Sequence, residues 1–457
     1  MNLVVTVPMA RLTALSWVAD IVFARMLGIA ARVQGGPADM VTVSAGGVSL
    51  TMPSLFPAMV DGRISLDAPL PALPLKQWKP AQNGLSGIEE SLPVLFGAPT
   101  VDMTPERIDC GVDILGSIFF MLSRYEEVVG AERDTHDRFP ATASLASRAD
   151  FLGRPIVDEY VEVLWQLMSR LWPGLRRRQR QGGIRVSCDV DHPFDWGLAQ
   201  PRLMLRSLGA DILQRRDPPR AWRRIRNIVH SSSGDYRLDP NYTFDWYMDV
   251  CEKAGRRAAF YFIPERSAGL IDGCYNLSDT AIRALMAALA GRGHELGVHG
   301  SYNTYHDPAR IRRERDRMVS ACRLAKVDDR VIGNRQHYLR WDSAVTPDYL
   351  DEAGFEYDTS GCFADRPGFR YGTSVPFPMW SWHRQAPLRL MQRPLVLMEG
   401  SVISPLYLGL GYTDEAFDLM RLLRQRALRH GGDFTLLWHN SHFTTEGDRE
   451  FFTGLIQ

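Results

Sequence analysis

Side chains able to ligate an ion or move a proton stand at the ends of apolar runs in the carboxyl-terminal part of the chain. In SCDVDHP, Asp189 and Asp191 are two apart on a strand end. One carboxylate can therefore ligate a metal while the other, hydrogen-bonded elsewhere, serves as a base. Alone, the pair reads equally as two loop aspartates capping a turn before Pro193. The segment GRGHELGVHGSYNTYHD brings His294, His299, Asn303 and His306. His299 and Asn303 are four apart, so on a helical turn both lie on one side, in reach of one ion through an imidazole nitrogen and an amide oxygen. His294, ahead of the apolar run, is expected to be a satisfied interior histidine, and His306, beside Asp307, a surface one. In NRQHYLRW, Arg335 can hold a carboxylate in a two-pronged pair and keep an aspartate base ionised. LLWHNSHF sets His439 behind fully apolar residues, where imidazole can act as a general acid near neutral pH, with His442 capping the strand end.

Elements that could gather such residues are legible around them. IRVSCDV, AAFYFI, ELGVH, VIGNR, LVLME and FTLLWH are strand-like, and helical patterns separate them. Ser278, Asp307-Pro308, Thr346-Pro347 and Thr413 mark helix starts; Gly291 and Gly431-Gly432 mark ends. Strand and helix in alternation imply parallel strands with right-handed crossovers, and six or seven such units suit a barrel. Catalytic groups collect at the carboxyl ends of barrel strands, where Asp189, Asp191, His299, Arg335 and His439 all fall. A domain boundary is expected near Gly183, after the charged segment GLRRRQRQGG, read as a solvated linker. Ahead of it, DILGSIFFMLSRYEEVV and VDEYVEVLWQLMSRLW have helical period, and APLPALPLKQWKPAQ reads as loop or extended connector.

Composition narrows the function classes. With 53 basic and 53 acidic residues among 457, no global field draws the chain to nucleic acid or anionic lipid. Six scattered cysteines without a C-x-x-C pair argue against a disulfide framework and fit a reducing compartment. No uncharged apolar stretch is long enough for a membrane span, and the first residues lack the basic region of a signal peptide, so a cytoplasmic protein is expected. There is no G-x-S-x-G elbow, no phosphate-loop lysine and no G-x-G-x-x-G after a strand, which removes the support for serine hydrolase, ATPase and simple dehydrogenase chemistry.

In order and content the clusters resemble the polysaccharide deacetylase family, carbohydrate esterase family four with its nodulation-type deacetylase homology domain, over roughly residues 184 to 445. GHELGVH is similar to the family's G-H-E-[IL]-G-x-H, which implies His299 as the first metal histidine; the second position, four later, holds Asn303. DVD resembles the variant in which one residue separates a catalytic aspartate from a ligating one, implying Asp189 as base and Asp191 as ligand. Arg335-Gln-His-Tyr338 resembles R-x-P-Y, which implies Arg335 as the orienter of Asp189 and the Tyr338 backbone N–H as an oxyanion donor; Gln336-His337 replaces the usual prolines. LLWHN is similar to the leucine-histidine motif, which implies His439 as the acid.

FFMLSRYEEV, GRPIVDEYV and GFRYGT further resemble a bacterial subgroup with an extra amino-terminal domain. The fold so implied is α/β, a distorted (β/α)7-type barrel over 184–457 behind an amino-terminal α/β accessory domain over 1–183. The implied activity is removal of N-acetyl groups from an amino sugar of a cell-surface polysaccharide or its precursor, with a divalent metal, zinc, as cofactor and a carbohydrate as substrate. Hydrolysis of another amide or a cyclic imide fits the D-x-D variant too. Asn303 in place of histidine suggests instead a noncatalytic carbohydrate-binding or assembly protein on a degenerate deacetylase fold. A D-x-D nucleotide-sugar glycosyltransferase would leave His299 and His439 without a task.

Overall fold

The computed structural model describes residues 2–195, 205–206, 208–214, 216–232 and 236–457. Strands β1 (Leu3–Pro8), β2 (Ala31–Gly36), β3 (Met40–Ala45), β4 (Val48–Pro53), β5 (Gly97–Met103) and β6 (Arg107–Val112) form one sheet in the order β2-β1-β3-β4-β6-β5. Alternation makes it one-sided: Leu3, Val5 and Val7 of β1 and Val41 and Val43 of β3 are buried. Gly46 and Gly47, both at positive φ, make the tight β3–β4 hairpin that other residues would strain. Helices α1 (Leu12–Ala19), α2 (Ile114–Ser123) and α3 (Ile156–Leu171) pack together here, α3 lying against β4 and β6. The expected continuous helix through DILGSIFFMLSRYEEVV divides at Arg124, whose φ of 54° breaks it so that the buried guanidinium can reach Glu126 and Glu127.

The second sheet carries the residues of interest. Its strands are β7 (Ile184–Val190), β8 (Ala258–Phe262), β9 (Glu295–Gly300), β10 (Gly333–Gln336), β11 (Tyr357–Asp358), β12 (Phe377–Ser381), β13 (Ala386–Gln392), β14 (Leu397–Met398) and β15 (Phe434–Leu437). They pair in the order β12-β13-β11-β10-β9-β8-β7-β15-β14, all parallel except the antiparallel pair β12–β13. Crossovers include α4 (Phe244–Lys253), α5 (Thr280–Gly291), α6 (Pro308–Ala325), α7 (Thr346–Ala353) and α8 (Asp414–Arg429). Asp307 and Thr413 cap α6 and α8 through their side chains, whereas the residue preceding α5 is Asp279 rather than Ser278. The architecture is therefore mixed α/β with a mostly parallel sheet. Among the described residues no hydrogen bonds close it into a ring: β14 is two residues long before the chain turns helical at Glu399, and the β12–β13 hairpin ends the other side.

One continuous apolar core runs from the first sheet into the second. Trp17 donates its indole N–H to the Pro378 carbonyl at 2.9 Å and packs 5.2 Å from the Trp380 ring. Nearby, the buried Glu127 carboxylate accepts from Arg370 Nε (2.8 Å) and Nη2 (2.7 Å), Arg124 Nε (2.9 Å) and Ser343 Oγ (2.6 Å). Burial pushes this carboxyl up, yet Arg370 and Arg124 more than offset it and hold it at about 2. Removing one partner of a buried pair strands the other charge, so Glu127→Ala is expected to cost about 3–5 kcal/mol in urea unfolding; a loss under about 1 kcal/mol would contradict this. GLRRRQRQGG is not a free solvated linker: Arg177 pairs with Glu162 and lies 5.1 Å over the Trp165 ring, and Arg178 Nη2 donates to the Arg25 carbonyl at 3.0 Å. Among the described residues no helix is long and apolar enough to cross a membrane.

Candidate metal centre

Parallel pairing brings the site together. His299 on β9 and Arg335 on β10 are register partners, Asp189 on β7 pairs with Tyr261 on β8, and β15 delivers His439 just beyond Leu437. Asp191 follows β7 by one residue. The His299 Nε2 atom lies 3.2 Å from Asp191 Oδ1 and 3.5 Å from Asp189 Oδ2. Asp191 Oδ2 in turn lies 3.6 Å from both His337 Nε2 and His439 Nε2. Asp189, His299, Arg335 and His337 are buried, while Asp191 and His439 keep partial access to solvent.

Asn303 is not part of this group, contrary to the expected helical-turn pairing with His299. Its Oδ1 accepts from Arg340 Nη1 at 3.1 Å and its Nδ2 donates to the Ser267 carbonyl at 3.1 Å. The reason is local: β9 ends at Gly300, and residues 301–307 form turns instead of the helical turn that would stack i and i+4. The third residue of the cluster is His337 instead. Asp191, His299 and His337 offer ligand atoms that all lie within 4.8 Å of one another. That donor set fits a divalent cation on two further counts. Asp191 Oδ1 is buried without a hydrogen bond, and both histidines are tied back through Nδ1, His299 to the Arg335 carbonyl and His337 to Asp272 Oδ1, each at 2.9 Å. Those ties leave the Nε2 atoms free to ligate, and two imidazoles with one carboxylate are a donor set suited to catalytic zinc.

Electrostatics follow from the geometry. Burial raises the Asp191 carboxyl, but His337 and His299 override it and hold it well below the usual carboxylate range. Burial lowers His337, yet the Asp191 and Asp272 carboxylates bring it up to about 9. An ion must therefore displace a proton from His337 below that pH. Metal affinity is expected to rise with pH by about tenfold per unit and level off above pH 9 in a competition titration; a flat profile from pH 6 to 8 would contradict it. His337→Ala is expected to lower bound metal from about one equivalent to near zero by elemental analysis, with Asn303→Ala retaining it; the opposite outcome would restore Asn303 as ligand.

Arg335 reaches Asp189 with one prong, not two: Nη1 lies 3.1 Å from Asp189 Oδ1, while Nη2 donates to Ser187 Oγ (2.9 Å) and Thr359 Oγ1 (3.2 Å). His439 Nδ1 is 2.5 Å from Glu399 Oε1, the atom that His442 Nδ1 also meets at 2.7 Å. Burial pulls His439 down, but the Glu399 charge carries it up to about 10, so the imidazole holds a proton at neutral pH. Tyr338 heads a left-handed turn, φ 60°, whose carbonyl accepts from Arg138 Nη1 at 2.9 Å; its ring lies against His136, Tyr302 and His337. The amino-terminal part thus reaches the rim of the site through Arg138 and His136. His294 is satisfied inside, accepting from the Ala258 N–H at 3.1 Å. Trp341, Trp380, Trp382 and Trp438 are all buried in the core rather than offered to a sugar.

Sequence reasoning missed His337, Asp272 and Glu399. The rule that found the others would have found two of them, since His337 follows the strand end at VIGNR and Glu399 ends LVLME. Asp272 ends a short 3-10 turn, Gly269–Asp272, whose sequence carries no such signal.

Known proteins compare as follows. Residues 3–173 match a family of unknown function, DUF7033. No curated protein matches the chain. Among solved structures, a Mycobacterium smegmatis protein proposed to be a polysaccharide deacetylase is 18% identical, covering 61% of this chain and 84% of its own, at a TM-score of 0.39.

Proposed function

We propose that the protein is a metal-dependent hydrolase that removes N-acetyl groups from an amino sugar of a surface polysaccharide or its precursor. The observation that carries this reading is the convergence of Asp189, Asp191, His299, His337, Arg335 and His439 at neighbouring strand ends. The motif resemblance gives Asp189, Asp191, His299, Arg335 and His439 these same tasks, and His337 is added from the geometry alone. Asp191, His299 and His337 would hold the ion, which when bound supplies positive charge for a developing oxyanion and acidifies water. Asp189, aimed by Arg335, takes the proton of the attacking water. The Tyr338 N–H is the donor assigned to the tetrahedral oxyanion. His439, protonated and oriented by Glu399, gives its proton to the departing amine nitrogen, so that amide and water leave as acetate and free amine. Residues 184–457 carry the chemistry in this reading, and residues 1–183 brace the rim through Arg138.

Asn303 loses its weight as a sign of degeneracy, because His337 brings the donors to three. Purified protein incubated with N-acetylhexosamine oligomers is expected to release acetate, to stop on chelation and to resume with added zinc. Acetate release that survives chelation would overturn the metal-dependent reading.

A further inference from the structure

Residues two apart on a strand share a face, so the face that carries Asp189, His299 and Arg335 continues toward the amino ends of the same strands. There it lines a cavity of about 650 Å³ whose lining does not include Asp189, Asp191 or His299. Arg335 belongs to both this cavity and the candidate centre. Its Nη atoms hold Asp189, Ser187 and Thr359, while its Nε, fully buried, has no hydrogen-bond partner. Tyr261 and Tyr357 wall the space, their hydroxyls 2.9 Å apart. The two rings can lie over the adjacent strands because these carry Gly297 and Gly333, where a Cβ would strike the Tyr261 and Tyr357 rings at 2.5 Å.

The lining is unbalanced in charge. Five arginines, Arg180, Arg185, Arg257, Arg335 and Arg393, face three carboxylates, Glu295, Glu356 and Asp433. Each carboxylate is already engaged: Glu295 with the Tyr357 hydroxyl, Glu356 with Arg330 at 2.5 Å, and Asp433 with Arg185 at 3.3 Å and the Gly183 N–H at 2.9 Å. Arg257 and Arg393 have no carboxylate within ion-pair distance among the described residues, although Arg393 sits 3.5 Å over the Tyr357 ring. A concave space with surplus guanidinium donors and aromatic walls is a receptor for a small molecule bearing an oxyanion.

We infer that this cavity binds a small anion, a phosphate ester or a carboxylate, through Arg257 and Arg393, the exposed arginines of its lining that no carboxylate engages. Neither guanidinium touches the residues assigned to hydrolysis, so the inference stands whether or not that assignment does.

Calorimetric titration of the full chain with inorganic phosphate and, separately, D-glucuronate, against sodium chloride at matched ionic strength, tests it. One or both probes should bind saturably at millimolar concentration, and the tighter probe identifies the head group. Arg257→Gln and Arg393→Gln should each weaken that probe by about tenfold, the size of one charge-assisted hydrogen bond. Both side chains are exposed, so both variants should keep the wild-type melting temperature. Failure of both probes to saturate overturns the inference. Binding that survives both substitutions also overturns it, since the anion would then sit elsewhere, as on an ion at the candidate centre.

Discussion

Asp189→Asn is expected to lower acetate release from an N-acetylhexosamine oligomer by about three orders of magnitude while metal content stays near one equivalent. The amide keeps the shape of the side chain and its place beside Arg335, but cannot accept a proton from water. General bases contribute about 10²–10⁴ in rate, and a value of about 10³ rather than the low end is appropriate here because no other carboxylate is both buried and bound to an arginine within the cluster of described residues. The loss should fall on kcat, with KM little changed, because the group acts in the transition state. Retention of activity within tenfold would remove Asp189 as base. Loss of the metal together with activity would make it a ligand instead.

His439→Ala is the second large effect, about 10²–10³ in kcat, since the amine would leave without a positioned proton. A smaller change at its partner separates proton donation from mere packing. Glu399 Oε1 faces His439 Nδ1 at 2.5 Å, and its charge is what lifts the imidazole to about 10. A raised histidine keeps its charged form up to the raised value and loses it above. Wild-type activity should therefore persist into the alkaline range, and in Glu399→Gln the alkaline limb should move toward neutrality, because a neutral amide no longer favours imidazolium. An alkaline limb that does not move would make Glu399 a packing residue.

Strand existence and the site strands were legible because apolar runs of five to seven residues bounded by helix caps have few other readings. That Asp189, Asp191, His299, Arg335 and His439 lie together followed from one physical rule, that parallel strands gather their carboxyl ends. Asn303 was misplaced because a periodicity of four holds only if the backbone is helical, and the turns after Gly300 are not. His337 escaped as one of several aromatic rings in NRQHYLRW, although its position beyond β10 met the same rule. What no local pattern encodes is contact between distant segments. The reach of Arg138 to the Tyr338 carbonyl spans 200 positions, and the Glu127–Arg370 pair spans 243. Closure of the sheet likewise depended on how short β14 is, which the apolar run LVLME did not disclose.

Anomalous diffraction at the zinc edge from zinc-loaded crystals tests the cluster most directly. A single strong peak should lie between Asp191, His299 Nε2 and His337 Nε2, and should vanish in His337→Ala. The rival position is beside Glu399, His439 and His442, whose donor atoms also lie within 4.8 Å of one another. A peak there, or none, would mean that Asp191, His299 and His337 do not hold the ion on which the proposed hydrolysis depends.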